Sequence, residues 1–125
     1  MTQMRLCSDF PDPAKQKLLG AVGLAAKARG LVAGSAPCVD KMRADKGYLL
    51  VAAEDISENT KKRLIGTASF HHIPYLIPGV SKKMLAHAAG RKSDAAAVLF
   101  TDAGFVKIIE KLVTAIHTTN TEVLN

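Results

Sequence analysis

The side chains in this chain that could do chemistry fall into three groups: an acidic pair, a few histidines and thiols, and a larger set of cations. Glu54-Asp55 could serve as a general acid and base. The pair sits just ahead of an amphipathic stretch, where acids and Ser57 supply acceptors to a helix start, and capping is the simpler role. His71-His72 invites a metal, but adjacent residues on a helix point in different directions, and no acid or thiol lies at helical spacing from them. His87 and His117 stand alone. Cys7 and Cys38 are too isolated for a zinc site or a disulfide scaffold and read as reduced thiols. The phosphate-loop, dinucleotide and hydrolase-elbow motifs are all absent. The expectation is therefore a protein that is not an enzyme, with no catalytic residues, no cofactor and no metal.

The cations carry more information because they recur beside turns: Lys27 and Arg29, Lys41 with Arg43 and Lys46, Lys61 to Arg63, Lys82-Lys83, and Arg91-Lys92. The full chain of 125 residues has 17 Lys plus Arg against 11 Asp plus Glu, a formal charge of +6. Such a balance favours anionic partners, nucleic acid above all. Helix starts after Gly34, Asp55 and Ser81 would add unpaired backbone N–H groups, which suit phosphates. No stretch approaches the roughly 20 apolar residues that span a bilayer, and the first 13 residues hold no apolar signal core. A cytoplasmic protein without a membrane role is expected. The aromatics are two Tyr and four Phe; they do not form an interleaved set and fall mostly in strands or on helix faces. This argues against stacking of single strands and for shape-reading of a structured RNA.

The elements that would position these residues alternate. Residues 1–12 read as a flexible arm, with two prolines and two aspartates between Ser8 and Pro13. Asp12-Pro13 opens a helix to about Ala28, buried along Leu18, Val22 and Ala25, with Gly20 and Gly23 allowing close approach to a sheet. Leu31–Ala33 is a short strand. A second helix is expected from Pro37 to Ala44, capped by Ser35 or Ala36, because a residue before proline is pushed out of helical geometry. Tyr48–Ala53 is a continuous apolar run, as in a strand covered on both faces. A helix capped by Ser57 or Asp55 follows to about Ser69, striped by Thr60, Leu64 and Ala68. Then come a strand between Pro74 and Pro78, a helix capped by Ser81, a strand at Ala95–Thr101, and a helix opened by Asp102. In that last helix Phe105, Ile108, Ile109, Leu112, Val113 and Ile116 share one face. The core domain spans 13–117, and a polar tail covers 118–125. The alternation implies helices on both faces of a small sheet.

Several of these stretches together resemble the bacterial YlxQ-like branch of the ribosomal L-seven-Ae and L-thirty-e superfamily of kink-turn RNA-binding proteins. They are Leu19-Gly20, Leu24 to Gly34, Ala53 to Lys62, Ser81 to Lys83, Ala88 to Gly90, and Thr101 to Phe105, in order between about residues 15 and 116. The resemblance implies a single-domain α/β fold, a three-layer α/β/α sandwich with a four-stranded mixed sheet. It also implies recognition of the kink-turn, a sharply bent RNA with tandem sheared G·A pairs. Carried over by position, the contacts would be Gly34, Ser35, Ala36 and Pro37, then Glu54 and Asp55, then Gly90, Arg91, Lys92 and Ser93 through Asp94. Arg29, Lys41 and Lys61 join them as nearby cations.

The chain departs from the family at the base-reading positions. Ala36-Pro37 stands where RNA-binding members have Asn-Glu, and Asp40 stands at the usual lysine position, with Lys41 one place later. A one-residue shift turns a helical side chain by about 100°, and Pro37 removes a backbone donor. The resulting expectation is a non-catalytic protein that binds structured RNA, ribosomal RNA or another kink-turn RNA, is associated with the ribosome and acts as a monomer. The rival is a protein-interaction module on the same fold that has lost kink-turn specificity. A third reading, a small enzyme using Glu54 or Asp55, lacks any indicated substrate.

Overall fold

The computed structural model describes Arg5–Leu6 and residues 12–124, with side chains described from 12 to 115. The expectations for Cys7 and for the turn-rich stretch at 8–11 lie outside the described residues. Five strands and five helices follow in the order β1 (Arg5–Leu6), α1 (Asp12–Lys27), β2 (Leu31–Ala33), α2 (Ser35–Arg43), β3 (Leu49–Ala52), α3 (Glu58–Phe70), β4 (Tyr75–Leu76), α4 (Lys82–Ala88), β5 (Ala97–Phe100) and α5 (Ala103–Leu124). The helix bounds of α5 run past 117, where the polar tail is expected to begin; no Pro or Gly interrupts this stretch.

The four strands β2 to β5 form the mixed sheet, in the spatial order β4-β3-β5-β2. β5 lies antiparallel to both neighbours, Leu50 facing Leu99 on one side and Val32 facing Leu99 on the other. β3 and β4 are parallel, and a parallel pair requires a crossover, which α3 supplies. One strand was not expected from the sequence: β1 pairs in parallel with the outer edge of β4, Arg5 opposite Tyr75. The reason is general, since an edge strand leaves backbone N–H and C=O groups that any extended segment can satisfy.

The side-chain alternation of the central strands divides the core in two. Leu49 and Val51 of β3, with Val98 and Phe100 of β5, join Leu18, Val22, Leu85, Val106, Ile109 and Val113 beneath α1, α4 and α5. Leu50 and Ala52, with Ala97 and Leu99, join Cys38, Val39, Met42, Leu64 and Ala68 beneath α2 and α3. Strands covered on both faces read as unbroken apolar runs, which is why 49–52 and 97–100 are legible. The buried centre of α5 is Val106, Ile109 and Val113, whereas Ile108, expected on the same face, is 42% exposed. The glycines of α1 also differ from expectation: a Cβ at Gly23 would lie 3.2 Å from the Ala88 carbonyl of α4, and Gly20 faces open space. The close approach is helix to helix.

Strand direction decides where the connections go. β2, β3 and β4 run the same way and β5 runs against them. One end of the sheet therefore collects the turns entering α2, α3 and α4 together with the α4–β5 loop. The other end collects the turns leaving α1, α2 and α3 together with the β5–α5 junction.

Candidate functional site

The first end is tied together by backbone. Gly34 N–H donates to Ala97 O at 2.9 Å, Ala53 N–H to Ala96 O at 2.9 Å, Glu54 N–H to Val80 O at 2.9 Å, and Ala95 N–H to Lys82 O at 3.1 Å. These bonds bring together Gly34, Ser35, Ala36, Pro37, Glu54, Asp55, Gly90, Arg91, Lys92 and Ser93 from three separate connections. Arg91 crosses between two of them, its Nη1 donating to the carbonyl of Ala33 at the end of β2.

The three helix starts at this end are not equivalent. Ser57 caps α3, its Oγ accepting from Thr60 N–H at 3.2 Å. Ser81 caps α4, its Oγ accepting from Met84 N–H at 3.1 Å. Asp55 does not cap the helix it precedes; its Oδ1 accepts from Lys82 N–H at 2.8 Å, in the first turn of α4. Asp55 is thus a cross-loop tether, which accounts for the carboxylate without catalysis. α2, by contrast, has no side-chain cap at all.

The α2 start also corrects the expectation that the helix opens at Pro37 with Ser35 or Ala36 as cap. The helix begins at Ser35, and Gly34 is the cap residue at φ 104° and ψ 149°. Ala36 is helical despite preceding proline. Pro37 occupies the third position of the first turn, where a backbone N–H would have no helical partner anyway. Gly34 makes room for this: a Cβ there would lie 3.3 Å from Pro37 Cδ and 3.4 Å from Arg91 Nη1. The backbone N–H groups of Ser35 and Ala36 are left at the head of an uncapped helix beside a guanidinium. Both features favour an anion.

Beneath this start lies Cys38, fully buried, its Sγ 3.7 Å from the carbonyls of Val32 and Ala97. Burial pushes the thiol up to about 12, against a smaller lowering by Arg91. Cys38 is a protonated core residue, as the reduced-thiol reading has it.

Two of the proposed cations are placed elsewhere. Arg29 lies in the turn from α1 to β2 and Lys41 in the last turn of α2, and both line a cavity at the opposite end of the sheet, with Lys46, Asp45, Tyr48 and Thr101 among its walls. A helix of nine residues carries its last turn away from its first, so Lys41 cannot reach the loops that begin α2. Lys61 is in the first turn and a half of α3, its N–H bonded to Ser57 O, and stays near the loop end.

The opposite end holds residues that sequence reasoning missed. Tyr48 is 51% exposed and Phe70 80% exposed, although the sequence places Tyr48 in a strand covered on both faces and most of the aromatics in strands or on helix faces. Tyr48 falls just outside the strand, which starts at Leu49, and Phe70 is the last residue of α3. His71 Nδ1 lies 2.8 Å from Asp45 Oδ1, a partner 26 residues away in sequence that no local spacing could reveal. Among the described residues no three potential metal ligands cluster, and no helix is long and apolar enough to cross a membrane.

Comparison with known proteins agrees with the fold and with the sequence resemblance. Residues 16–110 match the ribosomal protein L7Ae/L30e/S12e/Gadd45 family. The chain is 30% identical over 92 residues to the RNA-binding protein YlxQ of Bacillus subtilis, covering 73% of this chain and 90% of that protein. It is 33% identical over 60 residues to the RNA-binding protein YlxQ of Enterococcus faecium, covering 48% of this chain and 58% of that protein. A solved Bacillus halodurans protein of unknown function superposes with a TM-score of 0.69 at 29% identity, over 77% of this chain and 95% of that one. A Giardia lamblia 15.5 kD RNA-binding protein superposes with a TM-score of 0.71 at 16% identity, over 88% and 92% of the two chains. At that identity the likeness concerns the fold.

Proposed function

From a chain that belongs to the ribosomal protein L7Ae/L30e/S12e/Gadd45 family, we infer a non-catalytic protein that binds structured RNA through the loop end of its sheet. The observation that carries this reading is the start of α2. Its backbone donors are uncapped, and the Arg91 guanidinium stands over them. An RNA phosphate fits there, with Gly34 giving the sugar–phosphate backbone room to approach. Lys92, Ser93 and Lys61 flank the same end and add phosphate contacts. The curated relatives named as RNA-binding proteins support the same reading.

The RNA is one whose backbone is sharply bent, a kink-turn in ribosomal RNA or another transcript, bound by a cytoplasmic monomer in association with the ribosome. Recognition rests on backbone shape more than on bases. Ala36 carries no hydrogen-bonding side chain, Pro37 carries no donor of any kind, and Asp40 repels phosphate, so the positions that would read guanine edges cannot do so. Those substitutions favour one second reading: the same surface docks a protein instead.

Titration of a kink-turn RNA and of the same RNA with its G·A pairs replaced separates these. Binding of both, steeply weakened by salt, supports backbone recognition. A large preference for the intact kink-turn would show that base reading survives by another route. Absence of binding at low salt would remove RNA in favour of a protein partner.

A further inference from the structure

The end of the sheet opposite the loop cluster has the composition that the loop cluster lacks. A cavity of about 350 Å³ opens there, walled by Arg29, Lys41, Lys46, Asp45, Tyr48 and Thr101. Three of these are cations. The single acid is engaged with His71 at 2.8 Å. Lys41 is partly explained by its position at the C-terminus of α2, where the helix dipole favours a cation. Tyr48 has no such structural explanation. Half of a large aromatic ring is left in water at the mouth of a basic cavity, and Phe70, the most exposed large apolar side chain described, projects from the same end.

The backbone marks the same place. The described non-glycine residues at positive φ are Arg29 at 59°, Asp45 at 57° and His72 at 57°. Each follows a helix C-terminus at this end, closing α1, α2 and α3 with paired backbone bonds to the last turn, such as Gly30 N–H to Ala25 O at 2.8 Å and Lys46 N–H to Lys41 O at 3.0 Å. Glycine is the residue that suits such positions. Here all three are occupied by charged or titratable side chains, and each lines this cavity or the adjoining one that shares Tyr48. Retaining side chains at the cost of backbone strain is a pattern of functional surfaces.

We propose that this cavity is a second RNA contact, separate from the loop end, that takes one unpaired nucleotide with its base on Tyr48 and its phosphate among Arg29, Lys41 and Lys46. The chemistry is that of single-strand binding, a cationic groove combined with an aromatic face, and it is tolerant of sequence because every base has a π face. The proposal rests on RNA as the ligand of the chain but does not depend on how the loop end reads it.

Tyrosine emission provides the test, because the chain has no Trp and two Tyr. In a Tyr75→Phe variant Tyr48 is the sole tyrosine, and a tetranucleotide too short to fold is titrated at low salt. Quenching of Tyr48 is expected, with affinity falling about tenfold in Lys41→Gln/Lys46→Gln. In anisotropy with a labelled tetranucleotide, Tyr48→Ala is expected to weaken binding about fivefold or more, and Tyr48→Phe to restore it. Arg91→Glu, at the loop end, leaves the tetranucleotide titration unchanged, so failure of the loop-end reading and failure of this one are distinguishable. No quenching, quenching indifferent to Lys41→Gln/Lys46→Gln, or free AMP binding as tightly as the tetranucleotide would each overturn the proposal, the last by making the cavity a site for free nucleotides.

Discussion

The two ends of this sheet both gather groups that attract anions, and they do so by opposite means. At the loop end the backbone contributes directly: three helices point their N-termini there, one of them uncapped, with Arg91 crossing to the Ala33 carbonyl and Lys61 and Lys92 beside it. At the other end α1, α2 and α3 present C-termini, whose dipoles are negative, the one N-terminus there, that of α5, has Gly104 N–H bonded to Asp102 Oδ1, and the positive charge is supplied by Arg29, Lys41 and Lys46. Backbone donors are fixed and impose geometry, which suits a folded RNA of one shape. Flexible cations around an aromatic ring impose little, which suits an unpaired strand. One net charge can therefore be distributed so as to serve two different modes of anion binding, separated by the length of the strands between them.

Substitutions at one glycine from each end test this contrast first, and with the largest effect. Gly47 and Gly34 both have positive φ, 119° and 104°. A Cβ at Gly47 would stand 2.8 Å from Leu99 Cδ2 and 2.9 Å from its Cγ, and Leu99 is fully buried and has nowhere to move. Gly47→Ala therefore combines backbone strain with overpacking and is expected to cost about 3 kcal/mol. Gly34→Ala meets Pro37 and Arg91 at 3.3 and 3.4 Å, and Arg91 is exposed and can yield, so about 1–2 kcal/mol is expected. Thermal denaturation reads both. Equal losses would mean that the loop end is as tightly packed as the other.

Arg91→Glu is the complementary substitution, on binding instead of stability. It removes the guanidinium over the α2 start and is expected to weaken structured RNA about tenfold or more and to flatten the salt dependence by about one counterion, with little change in melting temperature. Gel-shift titrations across salt concentrations measure this. If Arg91→Glu left structured RNA unaffected while Lys41→Gln/Lys46→Gln abolished it, the assignments of the two ends would be reversed.

How far the sequence foretold these ends follows from the physics of each. Both double-covered strands, the Ser57 and Ser81 caps and most of the α1 and α3 stripes were legible because they are local patterns of polarity. The loop end can be assembled from the resemblance, but not the α2 start: proline disfavours helix at Ala36, yet the helix begins at Ser35, after Gly34 at a positive φ. Lys41 and Arg29 are near the loop residues in sequence but not in space: α2 carries Lys41 to the other end of the sheet, and β2 separates Arg29 from Gly34. The Asp45–His71 pair and the exposure of Tyr48 and Phe70 depend on where strands and helices stop by one residue, which composition does not encode. The short β1 pairing depends on an edge made available by β4.

The buried thiol under the α2 start gives a pH prediction. Cys38 has its pKa raised to about 12 from 9.0 by burial. The unfolded chain releases this proton near pH 9 and the folded chain holds it, so above pH 9 the unfolded state binds fewer protons and stability falls with pH. The contribution is fully present below pH 9 and is lost as pH rises toward 12. Wild-type protein is expected to lose more stability than Cys38→Ala between these limits in denaturant titrations, and thiol reagents at neutral pH should modify Cys38 only as fast as the chain opens.

Arg29→Gly probes the opposite end with the smallest and most informative change. Arg29 holds φ at 59° in the position after α1 where glycine is free of the Cβ clash, so the substitution relieves about 1 kcal/mol of strain. Part of that gain is offset because glycine makes the unfolded chain more flexible, and the net expectation is a stabilisation of about half a kcal/mol, or a degree or two in the melting temperature of a domain this size. The same substitution removes one cation from the cavity and should weaken the tetranucleotide severalfold while leaving structured RNA at the loop end unchanged. A residue kept for folding would lose stability on replacement. A residue kept for binding gains stability and loses ligand, and that opposition of signs is what the second RNA contact requires of Arg29.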